Sequence, residues 1–240
     1  MSMKLSKRLM TLASLVTDGF RLADVGTDHG YIPIFLVKEG RIPSAIAMDV
    51  REGPLMRARE HIADAGLEDK ISVRLSDGVT ELRDGEADTV LISGMGGGLV
   101  KKILSEGREV LTSVRELVLQ PQSEIAAVRA WIRENGYVIV DEDMVKEDGK
   151  FYPMMKICHK SEMGTAEPVE EMSSDIADAF GPILLKKKHP MLLEWLNCEL
   201  AVTEKILGQL NSTEEKEQIV LRKCELAEKK ALLTEAMTYF

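Results

Sequence analysis

The chain lacks what a membrane protein, a disulfide scaffold or a general nucleic-acid binder would need. No apolar run approaches the roughly 20 residues of a membrane span, and residues 1–10 are polar and basic, without the apolar core of a signal peptide. A cytoplasmic protein with no membrane partner is expected. Three cysteines in 240 residues, Cys158, Cys198 and Cys224, are odd in number and widely separated. That fits neither a disulfide framework nor a zinc site, so no metal is expected. Net positive charge is missing too: 31 Lys and Arg face 40 Asp and Glu, for a net charge of -9. Such a balance argues against a nucleic-acid partner held by overall charge, but leaves room for a local basic patch.

What remains, 45% hydrophobic and 30% charged residues, is the composition of a soluble globular protein. Its length suits one domain with an appendage. The stretch around which the chain is organised runs from Arg21 to Ile34. A short apolar segment, Leu22 to Val25, stops at Gly26 and passes through a polar turn into the apolar segment Ile32 to Val37, the pattern of strand, loop and helix. Gly26 and Gly30 let the backbone bend and let a ligand approach a helix N-terminus. A dinucleotide loop would carry three glycines, and Asp28 would set a carboxylate against the pyrophosphate. S-Adenosylmethionine has no phosphate and a cationic sulfonium, so Asp24 and Asp28 suit it.

The following units repeat the theme. A second strand, Ala45 to Met48, ends at Asp49, 23 positions beyond Gly26 and near the spacing at which a carboxylate meets a ribose diol in either an NAD or an S-adenosylmethionine site. After a helix from Pro54 to Ala65, the alternating strand Ile71 to Leu75 leads to Ser76-Asp77-Gly78. In a parallel sheet, Asp24, Asp49 and Asp77 would converge on one crevice, the third carboxylate being free to take an adenine amino group. A fourth strand, Asp88 to Ile92, opens into Ser93-Gly94-Met95-Gly96-Gly97-Gly98, four glycines in five positions. Side chains so excluded leave space for something flat or large. No Asn-Pro-Pro-Tyr-like motif for an exocyclic amine stands there, which is compatible with methylation of a ring nitrogen that needs placement more than deprotonation. A fifth strand, Glu116 to Leu119, precedes Gln120-Pro121-Gln122 and a helix that Ser123 would cap. Tyr137 to Glu142 and Phe151 to Cys158 form an edge hairpin.

Composition shifts at Ser161. Residues 1–160 read as an α/β domain and 161–240 as a helical tail, whose first short helix is interrupted by Gly181-Pro182. Leu193, Leu196, Leu200, Thr203, Leu207 and Leu210 step by three and four, a heptad stripe. Val220, Cys224, Ala227, Ala231 and Thr234 repeat the spacing after a capping box at Ser212 and Glu215, so a coiled-coil hairpin is expected. Two basic features could contact phosphate: Lys4, Lys7 and Arg8 on the first helix, and Lys186-Lys187-Lys188 at the entry to the hairpin.

Taken in order, Asp24-Val25-Gly26-Thr27-Asp28-His29-Gly30-Tyr31, Leu75-Ser76-Asp77-Gly78, Ile92-Ser93-Gly94-Met95-Gly96-Gly97 and Leu119-Gln120-Pro121-Gln122 resemble the bacterial tRNA adenine-22 N1-methyltransferases over essentially the whole chain. The resemblance implies a Rossmann-like class I methyltransferase sheet with a C-terminal helical coiled-coil hairpin, S-adenosylmethionine as donor, and a tRNA whose D-loop region holds the target adenine. It assigns Asp24, Gly26, Thr27, Gly30, Asp49, Val50, Asp77, Gly78 and Gly94 to the cofactor site. Asp28, His29 and Tyr31 are the candidates for gripping the base, and the family pattern would have Glu where Pro153 stands. Two other functions compete with this reading, a non-catalytic nucleoside-binding module with a partner-binding tail and a small-molecule methyltransferase.

Overall fold

Seven strands make one sheet: β1 (Leu22–Val25), β2 (Ala45–Asp49), β3 (Ile71–Leu75), β4 (Thr89–Met95), β5 (Glu116–Pro121), β6 (Tyr137–Glu147) and β7 (Lys150–His159). Their order is β3-β2-β1-β4-β5-β7-β6, with β1 to β5 parallel and β7 antiparallel to both its neighbours. This is the class I methyltransferase arrangement expected above. The structure is a computed structural model that describes residues 5–162, 172–211 and 217–240. It divides into two compact units, residues 1–168 and 169–240.

The central strands are buried on both faces, as parallel strands covered by helices are. Successive residues alternate: Leu22, Ala47, Leu91 and Val118 pack with α1 (Lys7–Leu15), α2 (Tyr31–Lys38) and α3 (Glu52–Asp64). Val25, Met48, Ile92 and Leu119 pack on the other face with α4 (Gly97–Glu106), α5 (Arg108–Leu111) and α6 (Ile125–Glu134). α1 lies across β5, β7 and β6, whereas α3 covers β2 and β3. The carboxyl ends of five parallel strands therefore share one edge, with a different helix near each half of it.

The second unit holds α7 (Ser174–Phe180), α8 (Pro182–Lys186), α9 (Pro190–Asn211) and α10 (Glu217–Met237). Gly181, at a φ of +91°, breaks α7 from α8. α9 and α10 pack on each other. A 22-residue helix is about 33 Å long, further than the five residues between the two can reach, so the pair is antiparallel. Glu199–Lys229 and Glu204–Lys230 ion pairs join them. On α9 the expected stripe faces inward at Leu196 and Thr203. On α10 the structure corrects the register: Val220, Cys224, Ala227, Ala231 and Thr234 are all exposed, and Leu226, Leu233 and Ala236 are buried instead. Ser212 and Glu215 lie outside the described residues. No helix among the described residues is long and apolar enough to cross a membrane.

Candidate active site

β1 ends at Val25, and the chain turns back over the neighbouring strand, with Gly26 and Thr27 donating their backbone N–H groups to the Met48 carbonyl at 2.8 and 3.0 Å. Gly26 has a φ of +75°, and a Cβ there would collide with the Met95 side chain from the end of β4. The positive φ favours glycine and any Cβ would have to push the Met95 methyl aside, so the loop presents bare backbone. Asp24, below it, is buried and accepts the Thr27 hydroxyl at 2.6 Å. Burial pushes its carboxyl up to about 6, the Thr27 bond opposing that rise and the neighbouring Asp49 adding to it. A carboxylate so placed gains from a cationic ligand group.

Asp49, at the end of β2, is buried and accepts the Arg51 backbone N–H on Oδ1 at 2.9 Å, leaving Oδ2 for a ligand hydroxyl. Asp77, beyond β3, is exposed, 3.9 Å from the Lys102 ammonium. Along the same rim Val50, Leu75 and Leu99 are large apolar side chains left 59, 47 and 44% exposed. Acceptors for a diol and an amine beside uncovered apolar surface fit an adenosine, and the buried Asp24 and Asp49 carboxylates would repel a pyrophosphate, which favours S-adenosylmethionine. Gly30 and Gly78 shape the crevice by packing: a Cβ at Gly30 would touch Ala58 at 3.5 Å, and one at Gly78 would press on Ile103 at 3.0 Å.

Asp28, His29 and Tyr31 come together, and α3 supplies neighbours that were not anticipated. The Arg57 guanidinium donates to Asp28 at 2.5 Å, and His29 Nε2 stands 3.4 Å from the other Asp28 oxygen. The His29, Tyr31 and His61 rings lie nearly parallel, with centroids 5.0 to 5.4 Å apart. His61 Nδ1 is 2.9 Å from the His29 carbonyl, which can only accept, so that nitrogen carries the proton. His29 Nδ1 is buried without a partner. This cluster occupies the β2 side of β1, and nothing in the spacing of the sequence pointed to His61 or Arg57.

On the other side of β1 the glycine-rich loop is not the open platform expected. A Cβ at Gly97 would lie 2.5 Å from the Ser123 carbonyl oxygen, so the loop after β5 packs directly on it. Ser123 Oγ accepts from the Gly97 N–H at 3.3 Å and the Glu124 carboxylate from the Gly98 N–H at 2.8 Å. Ser123 thus serves the start of α4, and Glu124, left-handed at a φ of +51°, takes the N-cap position of α6. Gly94 is less crowded: at a φ of +77° in a β-bulge, a Cβ there would make ordinary contacts with Arg8 and Gln122, both at 3.8 Å.

Arg8 leaves the polar face of α1 and reaches Gly94. Its guanidinium donates to Gln120 Oε1 at 3.1 Å and lies over the Tyr152 ring, while its backbone N–H donates to Glu147 at 3.3 Å. Lys7 is exposed, and Lys4 lies outside the described residues. In the second unit Lys186, Lys187 and Lys188 are exposed, and the Lys188 ammonium lies 3.4 Å from the Phe240 carbonyl. No cluster of His, Cys, Asp and Glu that could hold a metal ion occurs among the described residues.

Comparison with known proteins agrees with this geometry. The model of a methyltransferase domain family matches residues 5–155. A tRNA (adenine(22)-N(1))-methyltransferase of Bacillus subtilis (strain 168) is 34% identical over 238 residues, covering 99% of this chain and 98% of the relative. The crystal structure of a B. subtilis m1A22 tRNA methyltransferase superposes with a TM-score of 0.84 at 34% identity, over 97% of this chain and 98% of that one. Streptococcus pneumoniae Sp1610, a candidate tRNA (m1A22) methyltransferase solved in complex with S-adenosyl-L-methionine, superposes with a TM-score of 0.82 at 33% identity, over 97% of this chain and 99% of the other.

Proposed function

The chain belongs to the methyltransferase-domain family and, within it, to the tRNA (adenine(22)-N(1))-methyltransferases, and from that premise we propose that it methylates N1 of adenine 22 in tRNA, in the cytoplasm. The observation that carries the reading is the carboxyl edge of the sheet, where buried acids, bare Gly26 backbone and uncovered apolar side chains suit an adenosine cofactor without phosphates. Bound S-adenosylmethionine supplies an electrophilic methyl group on a positively charged sulfur. Asp49 would accept hydrogen bonds from the ribose, Asp77 would receive the adenine amine, and Asp24 would face the cationic amino-acid end. Val50, Leu75 and Leu99 would cover the purine ring.

Adenine N1 carries an in-plane lone pair, so the protein has to place it rather than deprotonate it. The target base leaves the tRNA stack to reach the crevice, and Asp28, His29 and Tyr31 are assigned to its edge. Asp28 is shared between Arg57 and His29, which holds the loop at the orientation it needs. Asp28→Ala is expected to lower turnover on the order of 10²-fold with little change in tRNA binding, and single-turnover rates beside tRNA affinity would separate the two. An equal loss of both would assign Asp28 to folding or docking. Within the chain α10 packs against α9, and burial of Leu196 and Thr203 within the unit favours an enzyme over a recruiting module.

Methyl transfer from labelled S-adenosylmethionine to unmodified tRNA tests the function directly. Wild-type tRNA should be labelled and a transcript with adenine 22 replaced should not. Label that survives the replacement would reject the target, and absence of label on any tRNA despite cofactor binding would reject the substrate class.

A further inference from the structure

The Arg8 guanidinium is a feature of the carboxyl edge that neither the cofactor nor the Asp28 cluster explains. It lies on the β4–β5 half of the crevice, away from Asp49 and Asp77, and it has no carboxylate partner among the described residues. Its side-chain contacts are the neutral Gln120 carboxamide and the face of Tyr152. Most arginines of the sheet unit are paired otherwise: Arg21 with Asp88, Arg41 with Asp18, Arg57 with Asp28, Arg74 with Glu86 and Arg129 with Glu142. Gln120 is fully buried at the end of β5, and its own Nε2 donates to the Pro121 carbonyl at 3.2 Å. That bond fixes which way the carboxamide points, so its oxygen is committed to Arg8. Glu147 holds the backbone of Arg8 and leaves the guanidinium its full charge. A Cβ at Gly94 would lie 3.8 Å from Arg8 Nη1, so the guanidinium borders this stretch of bare backbone.

We propose that Arg8, aimed by Gln120, binds a phosphate of the target nucleotide's backbone as the flipped adenosine enters over Gly94. This rests on the tRNA reading above. A guanidinium is the group best matched to a phosphate, offering parallel N–H donors in a rigid fork. Its charge stays uncompensated because Gln120 orients it without neutralising it, as a carboxylate would. A protein with a net charge of -9 draws little help from its overall field in holding RNA, so one fixed cation at the point of chemistry matters more than exposed lysines. Gln120 is then a positioning residue, acting on the substrate only through Arg8.

Two variants separate these roles. Arg8→Gln removes the charge, and Gln120→Glu keeps the shape while giving Arg8 a carboxylate that competes with phosphate. The measurement is single-turnover methylation of adenine-22 tRNA over a range of salt, alongside S-adenosylmethionine affinity and thermal melting for each variant. Arg8→Gln is expected to raise the tRNA concentration at half-maximal rate roughly tenfold and to flatten its logarithmic salt dependence by about one phosphate contact, with cofactor affinity unchanged. Gln120→Glu should reproduce the flatter slope although Arg8 is still present, a result that a merely structural Gln120 would not give. Gln120→Leu, which leaves the charge unaimed, should lower the rate at saturating tRNA and keep the wild-type slope. Wild-type slopes in both Arg8→Gln and Gln120→Glu would overturn the proposal and leave the methyltransferase reading intact. Loss of rate at saturation in Arg8→Gln with an unaltered slope would also overturn it, placing Arg8 on the base. A wild-type protein that labels no tRNA would remove the tRNA reading and this inference together.

Discussion

The two edges of the sheet treat buried carboxylates in opposite ways. At the amino edge, Glu116 opens β5 and accepts from the Thr17 N–H, the Thr17 hydroxyl and the Thr89 hydroxyl at 2.9, 2.6 and 2.8 Å, with the Lys156 ammonium at 2.7 Å. Asp88, close by, receives the Arg21 backbone N–H and its guanidinium, which hold its carboxyl below the usual range. At the carboxyl edge Asp24 has only the Thr27 hydroxyl, faces a second acid in Asp49, and is pushed up to about 6. Buried polar groups that serve the fold come with their partners. A buried acid left short of donors beside another acid is a strongly perturbed group, and groups of this kind cluster at functional sites.

Removing the satisfied acid should have the largest effect. Glu116→Ala leaves the Lys156 ammonium and two threonine hydroxyls without their acceptor in a buried place. A loss of about 3–5 kcal/mol is expected, read by denaturant unfolding, with cofactor affinity unchanged in the fraction that remains folded. Asp24→Asn should do the reverse. The neutral amide relieves the penalty of burying a charge beside Asp49, so the ligand-free protein gains up to about 2 kcal/mol at neutral pH, while S-adenosylmethionine binding, followed by calorimetry, weakens by an amount of similar order. If both variants lost stability and neither lost cofactor, the two edges would differ in appearance only.

How far this contrast was legible in the sequence differs by element. The strands Leu22–Val25 and Ile71–Leu75 fall where the sequence put them, because a short apolar run and a short alternating one, each bounded by Gly, Asp or Lys, have few other uses in a βα repeat. Asp24, Asp49 and Asp77 share an edge for the same reason, a consequence of parallel order. The α10 register was not legible. Ile219, Lys223, Leu226, Lys230, Leu233 and Met237 step by four and three just as well as the series from Val220 to Thr234. Periodicity cannot choose between interleaved series, and the choice falls to bulk, since Leu226 and Leu233 bury more apolar area than cysteine or alanine. Lysine stems at 223 and 230 extend along the same face, half-buried. The contacts of Arg8 were not legible for a different reason. Helical spacing sets it on a polar face, and the partner that turns it inward, Gln120, is 112 residues away.

The smallest effect is also the most specific to the carboxyl edge. Asp24's folded value of about 6 lies above the ordinary 3.8, so between those values the native state holds more protons than the unfolded one. Its contribution to stability therefore declines as pH rises through that window and is flat above it. A cationic ligand group needs the ionised carboxylate, so below about pH 6 binding must first expel a proton. Affinity for S-adenosylmethionine should fall by up to about tenfold for each pH unit below 6 and level off above 7. Over the same range, binding should release protons whose heat depends on the buffer. Asp24→Asn should abolish both the slope and the release, although Asp49 remains. A slope that persisted in that variant would take the titration away from Asp24 and, with it, the charge assigned to the end of β1.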